Sequence, residues 1–570
     1  MKKIIILWVL LIFCASCATA KHLETRPERP LPPPQAYYLF LLGYSAEKEG
    51  KWEDAIEYYN KALALDSDSP YLKTQLSYIL LRTGKVQEAI SVAEGVVRKE
   101  PDFVPALMLL GELYNSTKRS EDSIKAYEAV LSIQPGNEQA ALFLSLHYSA
   151  AGKHDRSIQI LERLVKNYPE NIMAYYYLGT INYDMGDREK ASEYFLKAVG
   201  LRPDFDAAVF NLGMISESKN ELEQAEEYYK DAISINPHNI QARERLAQIY
   251  FRKRETGKAI TQYERIGSQV PGSVDLHLNL GVLYFEDKQY EKAVEEFRIV
   301  LESKPDNTAI RYFLATALAE LEKTDEAISE LKIIISHEPK NIKAFLFLGF
   351  LYSKLNRDDD ALGIYREVLT FEKEKPEVYL YLAVTHIQLK DYEAAESVLS
   401  EALSRFQEND DLHFNIAIVY EKTDRFEEMV THLQKAIGIN PKHADALNYL
   451  GYSYAEKGIN LEEALSLIER AIELKPDNGY IMDSLGWVYY KSGDYSSALQ
   501  ILLKAAELVS DDPVIFEHIG DVYYAMNANG KALEYWEKAL KAKDKEDDKN
   551  LHIRVGEKIR ELGIGDAERK

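Results

Sequence analysis

The sequence predicts an all-α protein, a superhelical solenoid of about fifteen helix–turn–helix units ended by a C-terminal capping helix. Three series of residues predict it. A small residue recurs at one phase every 34 residues, at Gly43, Ser77, Gly111, Ser145, Gly179, Gly213, Ala247, Gly281, Ala315, Gly349, Ala383, Ala417 and Gly451, and after one step of 35 at Gly486 and Gly520. A second series of small residues runs twelve positions behind, from Ala55 to Ala532, and is broken at Met429. Proline closes most units, as at Pro101, Pro135, Pro169, Pro203, Pro237, Pro271, Pro305, Pro339, Pro441 and Pro476.

Each series has a packing reason. Glycine inside a helix costs about 1 kcal/mol relative to alanine, so a periodic glycine must gain more than that in contacts. Two helices joined by a tight turn such as "KSGDY" or "DMGDR" can approach closely where neither carries a large side chain. Proline then stops the second helix and turns the chain into the next unit. The single extra residue falls in "EKGINLEEA", between two helical runs, where an insertion is cheap.

In chain order, the first element is a leader, residues 1–16. Lys2 and Lys3 precede ten apolar residues, Ile4 to Phe13, too few to span a bilayer and right for a signal-peptide core. Small Ala15 and Ser16 then lead to Cys17, an arrangement that resembles a bacterial lipobox with Cys17 as the lipid acceptor. Cys14 follows bulky Phe13 and does not fit as acceptor; it stands where that motif usually has leucine. An ordinary cleaved signal and a redox CxxC are the competing readings. Under the sorting rule that goes with the resemblance, Ala18 after the cysteine implies the outer membrane, with the protein facing the periplasm. Residues 17–35, with "RPERPLPPP", read as an extended tether, since proline fixes φ and removes donors. Fifteen repeat units are expected over 36–546. In 547–570, Leu551, Val555, Ile559 and Leu562 form an apolar stripe at helical spacing, expected to cap the open end of the stack.

A 34-residue helix–turn–helix with these three series resembles the tetratricopeptide repeat (TPR). Large residues also stand where that family places them on the second helix: Tyr59, Tyr127, Phe195, Tyr229, Tyr263, Phe297, Tyr365 and Trp536. The resemblance implies that function lies on the concave face, with the fifth and ninth positions of each first helix pointing inward. In the middle of the chain these are apolar: Tyr176, Phe210, Tyr312 and Phe414 at the fifth, Met214 and Phe350 at the ninth. Glu244 and Gln248 interrupt them. The last three units differ, with Asn448, Asp483 and Glu517 at the fifth position and Tyr452, Trp487 and Asp521 at the ninth. Tyr490 and Tyr524 lie one turn on. An aromatic, acidic groove end suits a basic peptide, or a neutral glycan stacking on rings. The lysine and asparagine of TPR domains that clamp chaperone C-termini are missing, so that role is unsupported.

Composition narrows the function. Over 570 residues, 92 Asp and Glu against 69 Lys and Arg give a formal charge of −23, which disfavours nucleic acid as a partner. The two cysteines, both at the extreme N-terminus, leave no disulfide framework and no cysteine metal site. No Gly-rich phosphate loop, HExxH or GxSxG is present, and the twelve histidines are scattered. No cofactor, no metal and no enzymatic activity are expected. The expectation is a scaffold or adaptor lipoprotein that holds protein partners in its groove. By resemblance, it would serve cell-envelope assembly such as polysaccharide export, pilus or secretion machinery. The alternative is a periplasmic protein that binds a glycan or lipid-linked polymer.

Overall fold

The computed structural model describes residues 33–542 and 549–562. Cys17, the leader and all of the tether but its last three residues lie outside the described residues. Within them there are thirty-one helices and no strand. Thirty form fifteen consecutive pairs, from Pro34–Lys48 with Trp52–Leu65 to Pro513–Ala525 with Asn529–Lys541; a last helix, Lys549–Glu561, follows them. The pairs divide into two compact units, repeats 1–7 ending at Pro271 and repeats 8–15 with the last helix beginning at Gly272.

Local chemistry sets the boundaries. Many first helices start on an asparagine whose side chain accepts a backbone N–H three residues on: Asn137, Asn171, Asn239, Asn307, Asn341, Asn409 and Asn478. The turn inside each pair holds one residue in the left-handed region. Glycine takes that place at Gly50, Gly84, Gly152, Gly186 and Gly493, but Lys118, Arg254, Lys288, Glu322 and Lys390 take it too, with φ of 59° or 60°. Repeat 13 has two such residues, Gly458 and Asn460, where the inserted residue is absorbed.

The periodic glycines are sockets for the large side chain sixteen residues later, or seventeen in repeat 13 with its inserted residue. A Cβ on Gly213 would stand 2.6 Å from the Tyr229 ring, and one on Gly179 2.6 Å from that of Phe195. Gly43 faces Tyr59, Gly349 faces Tyr365 and Gly520 faces Trp536 in the same way, while Gly451 and Gly486 receive Ile468 and Leu502. The two series read separately in the sequence are thus two halves of one contact. At Ser77, where Ala93 stands sixteen residues on, a hydrogen bond takes the place of the ring: Ser77 Oγ donates to the Ala89 carbonyl at 2.7 Å.

Repeats are tied to one another by side chains that reach six residues back. Arg243, Arg311 and His413 each donate to a carbonyl in the preceding turn, at Pro237 (3.0 Å), Pro305 (2.9 Å) and Gln407 (3.0 Å). First helices of neighbouring repeats also touch, in repeats 2–3 and 4–5 of one unit and in repeats 10–12 and 13–15 of the other. Within each unit they therefore share a face, called here its first-helix face. No helix among the described residues is long and apolar enough to cross a membrane.

Candidate functional site

The first-helix faces carry two kinds of chemistry, an apolar stretch in each unit and an acidic stretch at the end of the second. In the apolar stretch, the fifth-position rings are half-buried because they fill seams. Tyr176 lies 5.0 Å from Phe205 and Tyr312 5.8 Å from Phe347, each in the next repeat; Phe414 lies 5.0 Å from the His443 ring, and Phe210 5.6 Å from Tyr229 of its own repeat. Met214 is half-buried as well. The open residues stand instead at the sixth and ninth positions: Phe143 and Leu146 in the first unit, and Phe313, Phe350, Tyr381 and Val384 in the second. Phe350, half exposed, is the most open of the expected residues of this stretch. The fifth position was expected to be presented to solvent; the next repeat covers much of it.

The acidic stretch is closed. Asp483, Trp487, Glu517 and Asp521, expected to line an open groove, are all buried. The chain's own last helix lies against them. Arg554 makes a two-pronged pair with Glu517 (Nε to Oε1 2.7 Å, Nη2 to Oε2 2.6 Å). Lys558 donates to Glu517 Oε1 at 2.7 Å and to both oxygens of Asp521 at 2.8 and 2.6 Å. Leu551 and Val555, fully buried, pack into the same apolar cluster as Trp536 and Val522.

Behind the carboxylates stands a stack of rings. His518 lies on Trp487 with centroids 4.0 Å apart, and Tyr490 lies 4.7 Å from that indole. His518 Nδ1 is 2.9 Å from Asp483 Oδ1, Trp487 Nε1 donates to Glu456 at 2.6 Å, and Trp536 Nε1 donates to Asp521 at 2.9 Å. Burial works against every charge here. It pushes Glu517 up, but Arg554 and Lys558 overrule it and hold that carboxyl below its usual value. It pushes His518 down, and Asp483, with Asp521 and Glu517, reverses the shift and favours the imidazolium. On Asp521 burial wins over Lys558, and the carboxyl is raised. Tyr452 and Tyr490 are raised by burial too.

The structure thus gathers Tyr452, Asp483, Trp487, Tyr490, Glu517 and Asp521 at one place, but around an internal occupant. Asn448 is half-buried, with its Oδ1 buried and unbonded. Tyr524 stands apart, 47% exposed and 5.6 Å from Trp536. Sequence reasoning missed His518, Glu456, Arg554 and Lys558. The signal for the last two was present: a basic pair four apart beside Leu551 and Val555, facing acids at the fifth and ninth positions of repeat 15.

One cluster has the composition of a metal site, Asp410, Asp411 and His443. The hydrogen bonding argues against it. His443 Nδ1 accepts the Ala446 N–H at 3.2 Å, so the neutral ring keeps its proton on Nε2, 3.5 Å from Asp411, and has no lone pair there for a cation.

Family models for tetratricopeptide repeats match residues 244–308, 284–346 and 338–553, and a model of the N-terminal ARM repeat of tetratricopeptide repeat protein 21 matches residues 44–255. No curated protein sequence matches the chain. Among solved structures, yeast Tom70 shares 16% identity over 92% of this chain and 99% of its own (TM-score 0.35), and the APC/C hetero-tetramer Cut9–Hcn1 15% over 93% and 96% (TM-score 0.33). MamA shares 23% identity over 28% of this chain and 95% of its own, with a TM-score of 0.28. Tetratricopeptide repeats are scaffolds for protein interaction, and the repeat pairs, the glycine sockets and the family models agree: this chain is a member of the tetratricopeptide-repeat family.

Proposed function

We propose that this protein is a non-enzymatic scaffold lipoprotein of the cell envelope, anchored through Cys17 to the outer membrane, that holds protein partners on its first-helix face while an envelope assembly is built. Polysaccharide export, pilus and secretion machinery are the assemblies this build suits. The observation that carries the reading is the row of exposed apolar side chains at the sixth and ninth positions of repeats 9–11: Phe313, Phe350, Tyr381 and Val384. Large apolar side chains left open at the sixth or ninth position of each of three successive repeats offer a strip for a peptide or helix to cover. The anchor rests on the sequence around Cys17.

Capture of partners from envelope extract tests the scaffold. Protein partners that survive glycanase treatment, and fall at least tenfold with Phe350→Ala plus Tyr381→Ala at unchanged helical content, are the expected result. Loss of all capture after glycanase would assign the face to a glycan or lipid-linked polymer. Cys17→Ser should move the protein out of the membrane fraction; retention after a high-salt wash would dismiss the anchor.

A further inference from the structure

The acidic end of the first-helix face makes a specific demand on whatever covers it. Asp483, Glu517 and Asp521 sit within one buried cluster, and among the described residues of the repeats it is His518 that pairs with them. The missing charge comes from Arg554 and Lys558, four residues apart on one face of the last helix, with Leu551 and Val555 beside them. A helix that merely closes a repeat stack needs an apolar inner face and a polar outer one. This one also inserts two cations between the fifth- and ninth-position carboxylates of repeat 15, which are groove positions. Buried ion pairs add little net stability and much register and partner choice.

The hold on this helix is limited. Leu551 and Val555 are fully buried, Ile559 and Leu562 only partly, and the Arg554 side chain remains 48% exposed. The repeats with a glycine socket, by contrast, are each locked by a buried large side chain seated in it.

We infer that repeats 14 and 15 form a receptor for a basic amphipathic helix, a partner segment with two cations four residues apart flanked by aliphatic residues, and that the chain's own last helix holds the site in cis until such a segment displaces it. The inference deepens the scaffold reading by naming a partner class for the acidic end of its face. The side chains that would read the partner are Glu517 and Asp521, with Asp483, Trp487 and His518 holding them in place behind.

The test uses the full chain and a synthetic peptide of residues 549–562, "KNLHIRVGEKIREL". The peptide should bind the variant Arg554→Ala plus Lys558→Ala at least tenfold more tightly than the wild type, because the cis competitor is weakened. A peptide with the residues corresponding to Arg554 and Lys558 changed to glutamine should bind neither chain. Equal binding of the basic peptide to wild type and variant, or binding to neither, would overturn the proposal and make the last helix a permanent cap. Should the variant misfold, hydrogen exchange on the wild type decides: amides of 549–561 should exchange at least tenfold faster than those of 513–525, and equal protection would refute displacement. Concentration-dependent dimers that disappear in the variant would overturn it differently, assigning the site to a second copy's helix. None of these readouts depends on Phe350 or on envelope extract, so the scaffold reading and this one fail separately.

Discussion

Repeats 9–11 and repeats 13–15 present the same positions on the same helices, yet one stretch is open and apolar and the other is charged and filled. In the open stretch, Phe350 and Tyr381 stand half exposed, and the ring contacts they make, such as Tyr381 on Tyr365, are with the repeats. In the filled stretch, the carboxylates of Glu517 and Asp521 are as buried as core residues, and the lysine and arginine that pair with them come from the last helix, outside the repeats. The scaffold does not decide this difference, because the sockets below are alike: Gly349 receives Tyr365, and Gly520 receives Trp536. A repeat fixes where the groove positions point, and the groove residues alone decide what they hold.

The largest effect should come from the same substitution made in both stretches. Leucine at Gly349 or at Gly520 drives a side chain into a ring that is 1% exposed and has nowhere to go. Overpacking costs about 3 kcal/mol, and the helix propensity regained on replacing glycine offsets about 1 kcal/mol. A net loss of about 2 kcal/mol is expected in each variant, confined to the repeat and its neighbours. Hydrogen exchange separates the two. Gly349→Leu should raise exchange over 330–390 and leave the last helix protected. Gly520→Leu should also release Lys549–Glu561, since Trp536 both bonds Asp521 and packs against Leu551 and Val555. A uniform rise along the chain in either case would contradict the local picture.

A smaller effect comes from pH, and it should touch only the filled stretch. Glu517 is held below its usual value, so its contribution is full above the unfolded pKa near 4.5 and is lost as pH falls through the lower folded value. His518 is shifted the other way, so its contribution is full below 6.5 and fades as pH rises through its raised folded value. The groups facing them are Arg554 and Lys558 from the last helix, Asp483 from repeat 14, Tyr452 and Glu456 from repeat 13, and Asp521 from their own helix. Protection of 549–561 should therefore fall once the pH drops below 4.5 towards the lowered Glu517 value, and again above 6.5 as His518 loses its proton. Protection of 342–354 should follow only the ordinary pH dependence of exchange. Parallel loss in both would mean that global unfolding, and not the charged end, is being read.

Much of this was legible in the sequence because packing leaves a period. The 34-residue series of Gly43 to Gly520 located every helix pair, and the residues at Asn448, Asp483 and Glu517 marked the acidic end before any contact was known. Two things were hidden. Which of two adjacent positions faces solvent depends on the next repeat, so Phe210 and Tyr312 looked open and Phe313 and Tyr381 went unremarked. The occupant of the acidic end lay more than thirty residues away, and no local period links Glu517 to Arg554. Left-handed turns were hidden as well wherever lysine, arginine or glutamate filled them, since composition there gives no cue.

Those turns yield the smallest prediction, and it separates the stretches once more. Glu322 in repeat 9 and Asn527 in repeat 15 hold the same turn position, with φ of 59° and 60°, and both are exposed. A left-handed backbone costs an L residue roughly 1–2 kcal/mol, less for asparagine, whose short polar side chain bonds locally in that conformation. Glycine removes the cost but adds freedom to the unfolded chain, which takes back about 0.4–1 kcal/mol. Glu322→Gly should therefore stabilise its region by about 0.5 kcal/mol, and Asn527→Gly should be neutral within about 0.3 kcal/mol, from the same opposing terms. Urea unfolding followed by exchange at each repeat reads both. If Asn527→Gly instead loosened the last helix, the turn of repeat 15 would belong to the docking site, and the charged end would extend beyond the groove to the turn edge of the stack.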